Sequence, residues 1–238
     1  MSRVGAVRFA RYAYPPNELG YCGPAGAAAM LDQEATADIE RRARAFEGAW
    51  VYLELLAEAG GFTDPLSEEV VEAYWVGSEL LEQVSPATLV TRLEERFRGQ
   101  LGGTWRDAWS RAAAHHTFQV FEVYPWAGLL RQGRPPGPAL NVLDRCRIRT
   151  GEVLAVEGEQ VVVGSPRLAW DAGAVTVHDE VTEWARWSVN GSSLIDVPTP
   201  GDVVALHWDW VCEVLDPEQA LRIRTLEARQ LAGLRLGV

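Results

Sequence analysis

The 238-residue sequence predicts an α+β protein: a helical N-terminal domain, then a small β-barrel closed by a C-terminal helix. Three observations lead there. Over the first 130 or so positions apolar residues recur at spacings of three and four, the period of one helix face. A segment dense in glycine and proline, Gly133-Arg-Pro-Pro-Gly-Pro138, then interrupts regular structure. After it the apolar runs become short and alternate, as strands do. The chain is therefore divided into a mainly α-helical domain (1–132), a Pro/Gly-rich linker (133–144) and a barrel with its terminal helix (145–238).

Each element has its own signal. Between Phe9 and Pro24, Pro15-Pro16 and Gly23-Pro24 predict that no helix runs through. Ile39, Ala43, Phe46, Trp50, Leu53 and Ala57 form one stripe, so residues 34–59 read as a single amphipathic helix stopped by Gly60-Gly61. Ser67 before two acids and Ser85 before Pro86 are expected to cap two further helices. Trp105, Trp109, Ala112, His116, Val120 and Val123 make a fourth stripe, ended at Pro125. In the second half, Glu157-Gly158-Glu159-Gln160 and Asn190-Gly191 mark tight turns. Residues 173–189 alternate loosely. Val203–Val214 reads as one alternating strand, with Trp208, Trp210 and Cys212 on the apolar face and His207, Asp209 and Glu213 on the polar one. Asp216-Pro217 with Gln219 opens the terminal helix.

Composition narrows the function. A formal charge of -11 and a pI near 4.9, with no basic stripe, argue against nucleic-acid binding. All 22 cationic residues are arginine, which carries no mechanistic weight. No secretory leader and no long apolar run is visible, so a cytoplasmic protein without membrane contact is expected. Three scattered cysteines make no disulfide framework.

Cys146 and His207 offer a soft thiolate and an imidazole, a donor pair suited to a transition metal such as iron. Asp209, two residues on, is placed to orient the His207 ring. Cys22 precedes an apolar segment able to start a helix, whose dipole favours a thiolate. With His115 or His116 it makes a candidate nucleophile and base, or a second metal site. Adjacent helical histidines point about 100° apart, so one small ion takes only one of them. Cys212 reads as core and His178 as incidental.

Cys146-Arg-Ile-Arg-Thr150-Gly151-Glu-Val153, Gly201-Asp202-Val-Val-Ala-Leu-His207 and Asp216-Pro-Glu-Gln-Ala220 occur in this order. With them, residues 146 to about 232 resemble the HypC/HupF family of nickel–iron hydrogenase assembly chaperones. The resemblance implies an OB-like barrel and an accessory protein of hydrogenase maturation without turnover of its own. It implies an iron carrying cyanide and carbonyl ligands, held through Cys146 with His207 as the matching histidine. The implied partners are a maturation scaffold protein and the hydrogenase large subunit. Three departures stand out: Cys146 follows 145 residues instead of opening the chain, Thr150 replaces the family's usual proline, and residues 164–200 carry an additional hairpin, with Trp170, Trp184 and Trp187, beyond the family's compact core. The block from Phe9 to Pro24 also resembles one in an uncharacterised family associated with hydrogenase gene clusters. The competing expectations are a thiol- or metal-dependent enzyme using Cys22 with His115 or His116, and a metal-free protein-interaction adaptor.

Overall fold

The computed structural model describes residues 3–99, 103, 105–132, 136–171 and 173–234. Helix α1 (Arg3–Glu18) crosses the start of α4 (Glu68–Trp75) closely enough that a Cβ on Gly5 would lie 2.0 Å from the Leu66 carbonyl oxygen. α1 also runs straight through Pro15 and Pro16, which the sequence reading took as a break. A proline forfeits only its own N–H, and both sit near the end of the helix, so few ladder bonds are lost. Their carbonyls still accept, from Leu19 at 3.2 Å and Tyr21 at 2.9 Å.

The single helix expected over 34–59 is two, α2 (Thr36–Ala43) and α3 (Glu47–Gly60). The chain turns between them so that Phe46 meets Phe9 edge-on at 5.4 Å. Before α5 (Pro86–Arg96) the Ser85 hydroxyl accepts from the Thr88 amide at 3.1 Å, the expected cap, whereas Ser67 makes no such bond. The stripe expected from Trp105 to Val123 is broken up. Two 3-10 turns (Trp105–Asp107 and Trp109–Arg111) lead to the short α6 (His116–Phe118), which widens into a π turn (Gln119–Val123). The extended backbone of His115 separates them, and the intervening Trp109 is left exposed. α7 (Trp126–Arg131) follows.

Within the segment read as a linker the chain forms α8 (Pro136–Cys146). Pro136 and Pro138 fall in the first turn, where the amide protons have no intrahelical partner to lose. Residues 133–135 lie outside the described residues. Strands β1 (Arg149–Glu157), β2 (Gln160–Asp171), β3 (Ala174–Arg186), β4 (Val203–His207) and β5 (Trp210–Val214) close into a barrel in the order β1-β2-β3-β5-β4. β3 and β5 meet in parallel through Arg186 and Trp210, and the other neighbours are antiparallel. The hairpin expected as an addition within 164–200 is β2 and β3 themselves, paired as far as Asp171 and Ala174.

The run 203–214 is a hairpin and not one strand. It folds back at Trp208-Asp209, with Trp208 at φ 57°, and places His207 opposite Trp210. A two-residue turn preserves the alternation, so the pattern reads through it unbroken. The terminal helix α9 (Pro217–Ala232) has the expected capping box between Asp216 and Gln219. Helices and barrel share one apolar core, in which Phe9, Tyr12 and Trp75 pack in the same cluster as Ala205, Trp210, Cys212 and Ile223. Burying a side chain of this size contributes about 1.5–3 kcal/mol. No described helix is long and apolar enough to cross a membrane.

Candidate metal centre

Where α1, α4, α6, α8 and the β4–β5 turn converge, they enclose a cavity of about 210 Å³. Three of the sequence candidates, His116, Cys146 and His207, meet in its wall, with one donor atom from each within 4.8 Å of the others. A fourth, Cys22, lines the same cavity. The two pairs read separately from the sequence, Cys146 with His207 and Cys22 with a histidine, therefore belong to one place.

Cys146 is the last residue of α8, and its thiol is buried. Trp208 donates its amide to the Arg145 carbonyl at 2.7 Å, tying the β4–β5 turn to the end of that helix. His207, expected on the polar face of its strand, is 1 % exposed because α1 covers that side of the barrel. Asp209 does not orient it, being paired with Arg186 instead. The orienting group is the Tyr12 carbonyl, 2.7 Å from His207 Nδ1. That carbonyl is free because its helical donor would be the amide of residue 16, and residue 16 is proline. Nδ1 must carry the proton in this bond, so Nε2 holds a lone pair. Nε2 is buried and has no hydrogen-bond partner of normal geometry among the described residues, with the Cys146 backbone close enough to act on the ring.

His116 is fixed differently. Its Nε2 lies 2.8 Å from the Cys146 carbonyl, and Nδ1 lies 3.2 Å from the Tyr74 hydroxyl. A carbonyl only accepts, so Nε2 carries the proton and Nδ1 accepts from Tyr74. A metal would have to displace one of these partners. The Tyr74 hydroxyl has another acceptor within reach, the Gly48 carbonyl at 3.4 Å. The His116 ring packs 4.6 Å from Trp75 and 5.2 Å from the His207 ring. His115 takes no part in the cluster. Its Nδ1 accepts from the Thr117 amide at 3.1 Å and caps α6.

Burial sets the protonation of the whole site. Desolvation brings His116 down to about 4, and it holds His207, beside His116, well below the ordinary imidazole value. The same effect pushes Cys22 up to about 12 and Cys146 above its usual range, the latter with a further contribution from Cys22. The helix start expected to activate Cys22 is missing. After Cys22 the chain makes only a 3-10 turn, Ala27–Leu31. Neutral imidazoles and protonated thiols make a poor nucleophile–base pair, but imidazole lone pairs and thiols that ionise on coordination make a good soft-metal donor set. Bonds of about 2.0–2.3 Å around a tetrahedral ion place its donors about 3.3–3.7 Å apart, so small side-chain rotations close the set.

Sequence reasoning assigned His116 to Cys22 alone and gave Tyr12, Tyr74 and Trp75 no part. The signal for Tyr12 lay in Pro16, which strips the carbonyl four residues back of its donor. Cys212 is core, as expected, and His178 is exposed on β3.

Fold and site together define an α+β protein with a buried His–Cys–His cluster beneath its barrel. Residues 1–236 match the Family of unknown function (DUF6390), and the chain belongs to that family. Neither a curated protein nor a solved structure matches it.

Proposed function

We propose that this protein is a metal-centre accessory protein that holds a transition-metal ion through His116, Cys146 and His207. The observation that carries the reading is His207 Nε2, a buried lone pair without a hydrogen-bond partner of normal geometry among the described residues, beside the Cys146 thiol and a second imidazole. An unsatisfied buried acceptor costs about 1–3 kcal/mol, and coordination would recover it. The ligand types suit iron, zinc or copper in preference to magnesium or calcium.

The role is that of a chaperone in nickel–iron hydrogenase maturation, which takes up or delivers an iron centre and docks on a scaffold protein and the hydrogenase large subunit. The resemblance of residues 146 to about 232 to the HypC/HupF family supports it. So does the five-strand barrel order with its terminal helix, which fits an OB-like assignment. Meeting Cys146 and His207 in one cavity is what that resemblance requires of the two residues.

Titration of the reduced protein with Fe²⁺, Co²⁺ and Zn²⁺ under anaerobic conditions tests the binding step. One ion per chain is expected, with affinity reduced about a hundredfold or more by Cys146→Ser or His207→Ala, since even an outer-sphere partner is worth 10–100-fold. Unchanged affinity in both variants would sink the site. The biological role is tested in the host, where Cys146→Ser should abolish hydrogenase activity. Full activity with that variant would remove the assembly role and leave the metal site standing.

A further inference from the structure

The sum of charges around the cavity leads to a fourth ligand. A divalent ion bound by His116, Cys146 and His207 carries two positive charges against one thiolate. The net charge of +1 would lie where desolvation is expensive. Among the described residues no aspartate, glutamate, lysine or arginine lines the cavity. Its wall is otherwise aromatic and aliphatic, built from Phe46, Trp75, Trp126 and Trp208 among others. Apart from tyrosine hydroxyls, the one further group among the described lining residues that can become an anion is the thiol of Cys22.

We propose that Cys22 is the fourth protein ligand, giving a charge-neutral Cys₂His₂ centre for a divalent metal such as Zn²⁺ or Fe²⁺. The proposal rests on the three-residue metal site and extends it. Cys22 lines the same cavity as the other donors, which include the unpartnered His207 Nε2. It is the least buried member of the set, still largely shielded from solvent, so it sits nearer the rim than the other three. Tyr21 beside it stacks on Trp208 at 4.2 Å and covers that side of the cavity.

Cys22 stands outside the three donors that lie within 4.8 Å of one another, so joining them requires its segment to move inward. Gly20, Gly23 and Gly26 all take positive φ, at 76°, 81° and 85°. Asn17 holds the segment by donating to the carbonyls of Cys22 and Pro24, both at 2.8 Å. These bonds fix the carbonyl side of the loop and leave the thiol unengaged. The centre then has an open form with three inner ligands and a closed form with Cys22 added. Metal passes in and out over the Cys22 rim.

Co²⁺ serves as the probe, because sulfur-to-cobalt charge-transfer absorption scales with the number of thiolates and the visible bands report tetrahedral coordination. The full-length chain, reduced and anaerobic, is titrated alongside Cys22→Ser and Cys146→Ser, with circular dichroism confirming that each variant is folded. The expected result is a two-thiolate tetrahedral spectrum for the wild type. Cys22→Ser should halve the charge-transfer intensity, bind at least tenfold more weakly and release Co²⁺ faster to a chelator. Charge-transfer intensity unchanged in Cys22→Ser, with Co²⁺ still bound, overturns the fourth ligand and leaves the three-residue site intact. No tetrahedral Co²⁺ spectrum in the wild type overturns both.

Discussion

His207 depends on a residue that never touches it. Pro16 leaves the Tyr12 carbonyl without a helical donor, that carbonyl takes the proton of His207 Nδ1, and Nε2 is thereby left as a lone pair. Pro16→Ala returns an amide to position 16 and lets it compete for Tyr12. Metal affinity should fall about tenfold, the lower end for a lost orienting partner. The helix itself should gain stability, since alanine costs about 3 kcal/mol less than proline in a helix interior. Nitrogen-15 shifts of the His207 ring read the tautomer directly, and an unchanged Nδ1–H form with unchanged affinity would show that Tyr12 does not set it. Gly48 is the second such position. A Cβ there would lie 2.8 Å from the Tyr124 hydroxyl at the cavity wall, so Gly48→Ala should displace that ring and alter the shape of the cavity.

Close crossing of α1 and α4 holds two sides of the site, because α1 carries Tyr12 and α4 carries Tyr74 and Trp75. Gly5→Ala would drive a methyl group into the Leu66 carbonyl, a backbone atom with little room to yield. A loss of about 1–3 kcal/mol is expected, the usual range for overpacking, read as a shift of the urea midpoint. How far these elements were legible in the sequence depended on whether their signals were local. The Asp216 capping box, the Ser85 cap and the Gly158 and Asn190-Gly191 turns are satisfied within a few residues and were read correctly. Proline was misread twice, within α1 and at the start of α8, because its effect depends on where along a helix it falls. The β4–β5 turn was invisible because two residues do not disturb a period of two. For the site, Cys146 and His207 stood out by motif, while His116 joined them only through the packing of α6 against α8. No spacing in the sequence encodes that approach.

Across the whole molecule three of the four histidines, His115, His116 and His207, are buried and held neutral. Desolvation lowers His115 to about 3 and His116 to about 4, and it takes His207 well below the ordinary value. Above about pH 6.5 the folded and unfolded chains both carry neutral imidazoles, and these groups leave stability unchanged. As the pH falls below 6.5 the unfolded chain takes up protons that the folded chain refuses, so stability drops. Each histidine removes about 1.4 kcal/mol per pH unit until its folded value is reached, and three together remove about 4. Set against a total stability of about 5–15 kcal/mol, that loss is enough to unfold the metal-free protein near pH 5 if its stability lies at the lower end of the range, and otherwise lowers its stability steadily with pH. Urea midpoints read by near-ultraviolet circular dichroism should therefore fall as the pH is lowered from about 6.5 towards 4, with more than one proton taken up per chain on unfolding. Replacing His116 by glutamine should make the decline shallower by about one proton. Bound metal moves the balance further, since it holds His116 and His207 unprotonated and adds about 2.7 kcal/mol at a free concentration a hundredfold above Kd. The loaded protein is expected to unfold at lower pH than the apoprotein and to release its ion in the same transition. Loss of the ion well before loss of the tertiary signal would place its ligands outside the buried cluster.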